Sequence, residues 1–479
     1  MTTTTPTTSS RPVEHGAPVV RKMSPVEWSK KHLFNSWFNS LLTVVLVVVL
    51  GTALFNIAKW ILVGADWSVV AVNFGQFMSG LYKPELYWRI WSIFGLIMFF
   101  GGLSWGLLAR NQKTLLSRNV LIGVAAIALA FVALPLTRPH SLQLLGGLAL
   151  LVIMALVGQS FGRKVPGAAN WISAGWFTSY FIALYLLGGG AIFGNDASKP
   201  ALIYQLFCLA VGLFAGAQLA KRVTIPGIPE LLGDVLLFLV GLLVVRHILY
   251  ILPYTLGIDV GLSNASTNSW GGLVLTLLLA ISGIALCFPI GVLLALGRRS
   301  KLPVLRGFSV AYIELVRGVP LISILFMGQV LIPLFLPAGM RPDRVIRAVI
   351  GLTIFSAAYL AENVRAGLQS IPQGQTEAAQ SLGLNQPLTM ALIVLPQALK
   401  TAIPAIVGQF ISLFQDTTLL GIVGLVELLG ITNNLLANPK YLGDYAQGYA
   451  FIAVLYWIFC YAMSYGSGKV EEALNTDLR

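Results

Sequence analysis

Few side chains in this sequence are spaced for covalent chemistry. The four histidines (His15, His32, His140, His247) are scattered, and no cluster of His, Asp or Glu suggests metal ligation or an activated nucleophile. Cys208, Cys287 and Cys460 each lie inside an apolar run, where a thiol acts as small filler rather than as a ligand or disulfide partner. The nearest approach to a phosphate-binding loop is Gly466-Ser467-Gly468-Lys469. It has Met463 where the leading glycine belongs and no Ser or Thr after the lysine. What the spacing offers instead is recognition. Glu377-Ala378-Ala379 is followed after three residues by Gly383, after nine more by Ile393, and then by Leu395-Pro396. An Ala-rich helix beginning after Pro372 and stopped at Gly383 is short, rigid and charged at one end. Such a helix can dock into a groove on a soluble partner.

A second pattern follows. Gln397, Thr401, Ala405, Gly408, Ser412 and Gln415 recur every three or four residues, on one helix face, while the other faces are Leu, Ile, Val and Phe. Gln409 lies beside this stripe, and Pro404 is placed to kink the helix and free a carbonyl. Polar groups are costly against lipid, so the stripe points at protein or at a water-filled path. Helix packing through small residues and lining of a path both remain open for Thr401, Ala405 and Gly408; path lining is the better account of Gln409 and Ser412. Asp416 can attract a cation or cap a following helix through TTLLGIVGLVELL, capping being the plainer account. Thr353, Ser356 and Asn363 share a face of the preceding span and turn inward on the same argument. Glu362 is read as snorkelling or pairing with Arg365, and Glu314 as pairing with Arg317 at helical spacing.

These residues sit in a chain of 479 residues that is 57% hydrophobic and 10% charged, with a mean hydropathy of +0.81. A soluble domain is about half apolar and a quarter charged, so this composition excludes one. The net charge of +13 gathers on no single face, which argues against nucleic acid. Apolar runs of spanning length fall near 41–63, 88–109, 119–137, 141–160, 171–194, 201–220 and 230–253. Five more lie near 269–297, 318–337, 346–366, 388–414 and 447–466. The expected fold is thus an all-α polytopic membrane protein of about twelve helices. With the N-tail inside, alternate loops collect the Lys and Arg, for example Arg110, Lys113 and Arg118, and later Arg298, Arg299 and Lys301. Arg341, Arg344 and Arg347 are the exception. Both termini are therefore expected to be cytoplasmic. The expected divisions are a partly disordered tail (1–40, with no secretory signal), a transmembrane extension (41–267), a core (268–468) and a C-terminal tail (469–479).

The Glu377-to-Pro396 pattern, with its spacings, resembles the loop of the integral-membrane permease subunits of bacterial ABC importers. AYIELVRGVPLISILF (311–326), SAAYLAENVRAGLQSIPQGQTEAAQSLGL (356–384) and GQFISLFQDTTLLGIVGLVELLG (408–430) resemble the polar amino acid branch of that family. The segments WSKKHLFNSWFNSLLTVVL and PELYWRIW resemble its general L-amino-acid members with long N-termini. The resemblance covers about residues 268–468, a type I importer core of about five helices preceded by about seven more.

The resemblance implies ATP-driven import of polar L-amino acids across the inner membrane. Pro372, Glu377, Ala378, Ala379 and Gly383 would form the coupling helix, at 372–383, on which a cytoplasmic ATPase docks. Gln409, Ser412, Thr401, Gly408, Asp416, Thr353, Ser356 and Asn363 would line the substrate path. The chain needs no cofactor of its own, because ATP is bound by partner subunits. The other implied partners are a second permease, with a heterodimer favoured over a homodimer, and an external substrate-binding protein. A secondary transporter would need ion sites at paired broken helices, which are not visible. A non-transporting assembly subunit is the remaining alternative.

Overall fold

The computed structural model describes residues 24–475 except 113, 134–135, 194–210, 213, 217, 220–229, 249–259 and 338–340. The tail read as disordered, Cys208 and most of the span expected near 201–220 lie outside the described residues. The described chain divides into two compact units, residues 1–66 and 67–479.

In the first unit, α1 (Pro25–His32) starts in a capping box. The Ser24 hydroxyl accepts the Glu27 amide and the Glu27 carboxylate accepts the Ser24 amide, each at 3.2 Å. The next helix, α2 (Trp37–Lys59), continues through a π turn at Trp60–Gly64 and is long enough to span. Apolar all round, it buries none of its residues within the chain.

The second unit begins with α3 (Ser68–Ser79), α4 (Tyr87–Leu108), α5 (Arg118–Ala133), α6 (Arg138–Lys164) and α7 (Ala168–Gly188). A short antiparallel ladder joins β1 (Gly190–Phe193) to β2 (Val260–Leu262), with α8 (Glu230–Arg246) between them in sequence. Glycines set how closely α4 and α6 meet. A Cβ on Gly106 would lie 2.0 Å from the Ala155 carbonyl oxygen, and one on Gly158 would lie 2.4 Å from that of Leu103.

The chain continues with α9 (Gly272–Arg298), α10 (Pro303–Arg317), α11 (Leu321–Phe335), α12 (Arg344–Ser370), α13 (Gln373–Ser381), α14 (Gln386–Thr389), α15 (Leu395–Asp416), α16 (Leu428–Leu436) and α17 (Tyr445–Asn475). A hydrogen bond of 2.6 Å between the Tyr180 and Ser282 hydroxyls ties α7 to α9. Among the described residues eight helices are long and apolar enough to cross a membrane, or up to nine if the bent pair α10–α11 counts as one span. Arg118–Ala133 and Gly233–Val244 are shorter apolar helices at two further expected spans. The protein is polytopic, and its described residues are all-α apart from one small ladder.

The span expected over 318–337 is shorter than its apolar run. Pro320 donates no amide hydrogen and disfavours helix at Val319, so the chain bends by 109° between α10 and α11.

Candidate functional site

The sequence builds α13 by local rules. Pro372 stands at its N-cap, and Glu377 and Ala378 are exposed while Ala379 is buried. At the other end Gly383 takes φ +85°, a left-handed conformation that an L side chain resists. Its amide donates to the Gln380 carbonyl at 2.9 Å, and that of Leu384 donates to Ala379 at 3.2 Å. Together they form a Schellman stop. Nothing lies within 4 Å of where a Gly383 Cβ would project, so backbone conformation and not crowding selects the glycine. Asn385 then caps α14 through the Leu388 amide at 3.0 Å, and a π turn at Met390–Val394 leads into α15. The helix is thus presented outward between two spans.

Charged side chains brace the helices beside it. Arg298 of α9 meets Glu314 of α10 at 3.0 Å and Glu362 of α12 at 3.7 Å. Glu362 also faces Arg317 at 3.8 Å and accepts from Arg365 Nε at 2.9 Å. The Glu362–Arg365 pair expected from spacing is present. The Glu314–Arg317 pair is not: Glu314 turns to Arg298 on another helix, and Arg317 turns to Glu362. The Arg299 guanidinium donates to the Leu368 carbonyl at 3.1 Å, fastening the end of α9 to the end of α12 just before α13.

On α15 the buried positions are Ala398, Ala402, Ile406, Leu413 and Phe414. Thr401, Ala405, Gly408, Ser412 and Gln415 are exposed, and Gln397 and Gln409 are partly so. A Cβ on Gly408 would meet nothing within 4 Å. The polar stripe is therefore the open face of the helix, and the apolar side holds the core. Asn363 reaches the same region by donating to the Ala405 carbonyl at 3.1 Å. At the α13 end of the stripe the Gln397 amide donates to Ile393 at 2.9 Å and reaches Gln375 of α13 at 3.5 Å. Thr353 and Ser356 lie elsewhere, buried in the packed side of α12; their hydroxyl oxygens have no hydrogen-bond partner among the described residues.

Asp416 ends α15, partly buried, and its side chain makes no capping bond. The helix expected through TTLLGIVGLVELL is broken. A 3₁₀ segment at Thr417–Val423 stops at Gly424 (φ +83°), and α16 starts afresh at Leu428. Sequence reasoning missed the residue that restarts it. Glu427, fully buried, accepts the Leu429 amide at 2.7 Å and the Gly430 amide at 2.8 Å, with the Tyr456 hydroxyl at 3.4 Å. Burial pushes its carboxyl up to about 7, against the opposing pull of those donors. A lone Glu in an apolar run, just after a glycine stop, was the available signal.

A bundle of apolar spans that carries a short exposed helix and an open polar face is the architecture of an integral-membrane protein. The family described as binding-protein-dependent transport system inner membrane component matches residues 287–470. The chain is similar to the inner membrane amino-acid ABC transporter permease protein YhdY of Escherichia coli (strain K12). The two are 32% identical over 464 residues, covering 94% of this chain and 93% of that protein. It is equally similar to the glutamate/glutamine/aspartate/asparagine transport system permease protein BztC of Rhodobacter capsulatus, at 32% over 485 residues and 96% of each chain. The probable glutamine ABC transporter permease protein GlnP of Bacillus subtilis is 36% identical over 205 residues, 42% of this chain and 91% of that protein. The chain belongs to the amino-acid permease subunits of ABC importers. It is a multi-pass inner-membrane subunit that works with a binding protein and with a separate ATPase, which hydrolyses the ATP.

Proposed function

We propose that residues 268–468 form the translocation core for polar L-amino acids and that the helices of residues 67–267 pack around it. The carrying observation is the open polar face of α15, joined at its inner end to α13 through Gln397 and Gln375. Amide and hydroxyl groups at Gln409, Ser412, Thr401 and Asn363 pair with a substrate's ammonium and carboxylate without holding either too tightly for release. Gly408 leaves room beside them, and Asp416 draws the ammonium at the far end; Thr353 and Ser356, buried in the packed side of α12, stay out of the path. The ATPase seats Pro372, Glu377, Ala378, Ala379 and Gly383 in its groove and moves α13. Both termini are cytoplasmic, following the positive loops. A second, related permease supplies the facing half, as the long N-terminus suggests. Because the face is neutral apart from Asp416, it selects the shared amino acid head over any one side chain, in keeping with a relative named for glutamate, glutamine, aspartate and asparagine.

Uptake by the reconstituted complex tests this. Ser412→Leu and Gln409→Leu should each raise KM about two- to tenfold, the worth of one polar contact, with basal ATPase activity retained. An unchanged KM in both, or a sharp preference for a single cationic amino acid in competition, would overturn the reading. Mass spectrometry of the complex in mild detergent decides between one permease and two.

A further inference from the structure

Between α15 and α17 runs a groove with two linings. Its polar part, a cleft of about 340 Å³, is bounded by Gln397, Lys400, Thr401 and Glu471. Its apolar part, of about 610 Å³, runs along Phe288, Ile403, Val407 and Phe410. Gln397 and Lys400 line both, so the parts meet at the lysine. We propose that this groove binds an aminophospholipid, with an acyl chain along the apolar part, the phosphate at Lys400 and the headgroup ammonium at Glu471.

Depth supports the assignment. Trp457, Tyr461 and Tyr465 form an exposed ladder on α17, stacked at 5.3 Å and 6.5 Å, and the Lys469 ammonium sits 5.7 Å from the Tyr465 ring centroid. Aromatic rings ending in a lysine mark the level where acyl chains give way to headgroups. Glu471 follows Lys469 by two residues, and Lys400 donates to the Leu474 carbonyl one turn further on. That bond uses one of three ammonium hydrogens and leaves two for a phosphate. The Glu471 carboxylate accepts from Ser467 at 3.0 Å and keeps further lone pairs.

Charge and shape together select the class. A purely anionic lipid would meet Glu471, and a free amino acid would leave the apolar part empty. At that depth the available filler is hydrocarbon. Because Gln397 lines both parts and bonds Gln375, the bound lipid bears on the position of α13. The cleft borders the proposed path at Thr401, and the lipid assignment rests on the chain's embedding in the bilayer.

The test uses the full transporter complex in nanodiscs of phosphatidylglycerol with phosphatidylethanolamine in equal parts, released for native mass spectrometry. The wild type should retain phosphatidylethanolamine in preference. Glu471→Gln should cut that preference about two- to fivefold, the size of one half-exposed ion pair, and Glu471→Asp should restore it. Val407→Trp, which fills the apolar part, should lower retention of both lipids while ATPase subunits still co-purify. Retention in the bulk ratio would overturn the proposal, as would a preference indifferent to Glu471→Gln. Displacement of the lipid by a free amino acid would also overturn it, assigning the cleft to released substrate.

Discussion

The two ends of α15 reach defined structure by opposite means. At the α13 end each backbone choice is local: Pro372 starts a helix, Gly383 stops it at φ +85°, and Asn385 starts the next. The surfaces produced are exposed and available to a partner. At the Asp416 end the chain is stopped at Gly424 and restarted by Glu427, a carboxyl buried against Tyr456, which lies on α17. That end is determined by distant packing, and the carboxyl that restarts the helix, Glu427, faces protein. Substitutions at the α13 end meet exposed surface, and those at the Asp416 end meet packed protein.

The largest effect on uptake is therefore expected where the proposed docking and local geometry coincide. Gly383→Val strains the left-handed stop by about 1–2 kcal/mol, and Glu377→Lys reverses the exposed charge. Docking weakened by about 1.4 kcal/mol loses about tenfold in engagement. Uptake by either variant should fall at least that far, at unchanged membrane abundance on an immunoblot. Gly383→Asn, which tolerates the left-handed region, should keep most of its activity. Equal loss with Asn and Val would show that the site reads glycine's small size instead of the turn. Normal uptake with Glu377→Lys would count heavily against docking.

This contrast also explains what was legible from the residues. The α13 loop and the α15 stripe were readable because a helix stop and a period of 3.6 are properties of adjacent residues. The bend before α11 left a local trace in Pro320. Glu314 was different: spacing offered Arg317, but the nearer guanidinium, Arg298, arrives from another helix. The same blindness let TTLLGIVGLVELL pass as one helix, since capping by Glu427 depends on burial that only the fold supplies. Thr353 and Ser356 share a face in sequence with Asn363, yet packing buries the first two and leaves the third in reach of Ala405.

Glu427 acts on stability where α13 acts on uptake, and its effect on uptake ranks next because it arises only through pH. Its carboxyl is raised from 4.5 to about 7 in the folded chain, so the folded state holds the proton more tightly than the unfolded state. Stability from this group is fully present below pH 4.5 and is lost as pH rises through about 7. The whole change amounts to about 3 kcal/mol. Thermal unfolding in detergent should give a higher Tm at pH 5 than at pH 8, and Glu427→Gln should flatten that difference. Glu427→Ala should lower Tm at both pH values, because the α16 start loses a cap worth about 1 kcal/mol. A pH-independent wild type would place the charge in contact with water and remove the contrast between the two ends.

The smallest effect tests whether the α13 end is as local as its backbone implies. Arg298 and Glu314 pair across α9 and α10 with side chains 26% and 56% exposed. Solvent screening limits such a pair to about 0.2–1 kcal/mol. Arg298→Glu and Glu314→Arg should each lower uptake slightly, the first more because Glu362 then faces a like charge in place of a guanidinium. The double swap should recover the Glu314 contribution only. A double-mutant cycle on uptake measures what the two share. A coupling within the screened range leaves the glycine stop and the Arg299–Leu368 bond as what positions α13. A coupling well above about 1 kcal/mol would mean that three helices set the docking surface jointly, since one exposed pair can exceed its screened worth only by acting through Glu362 and its other arginines.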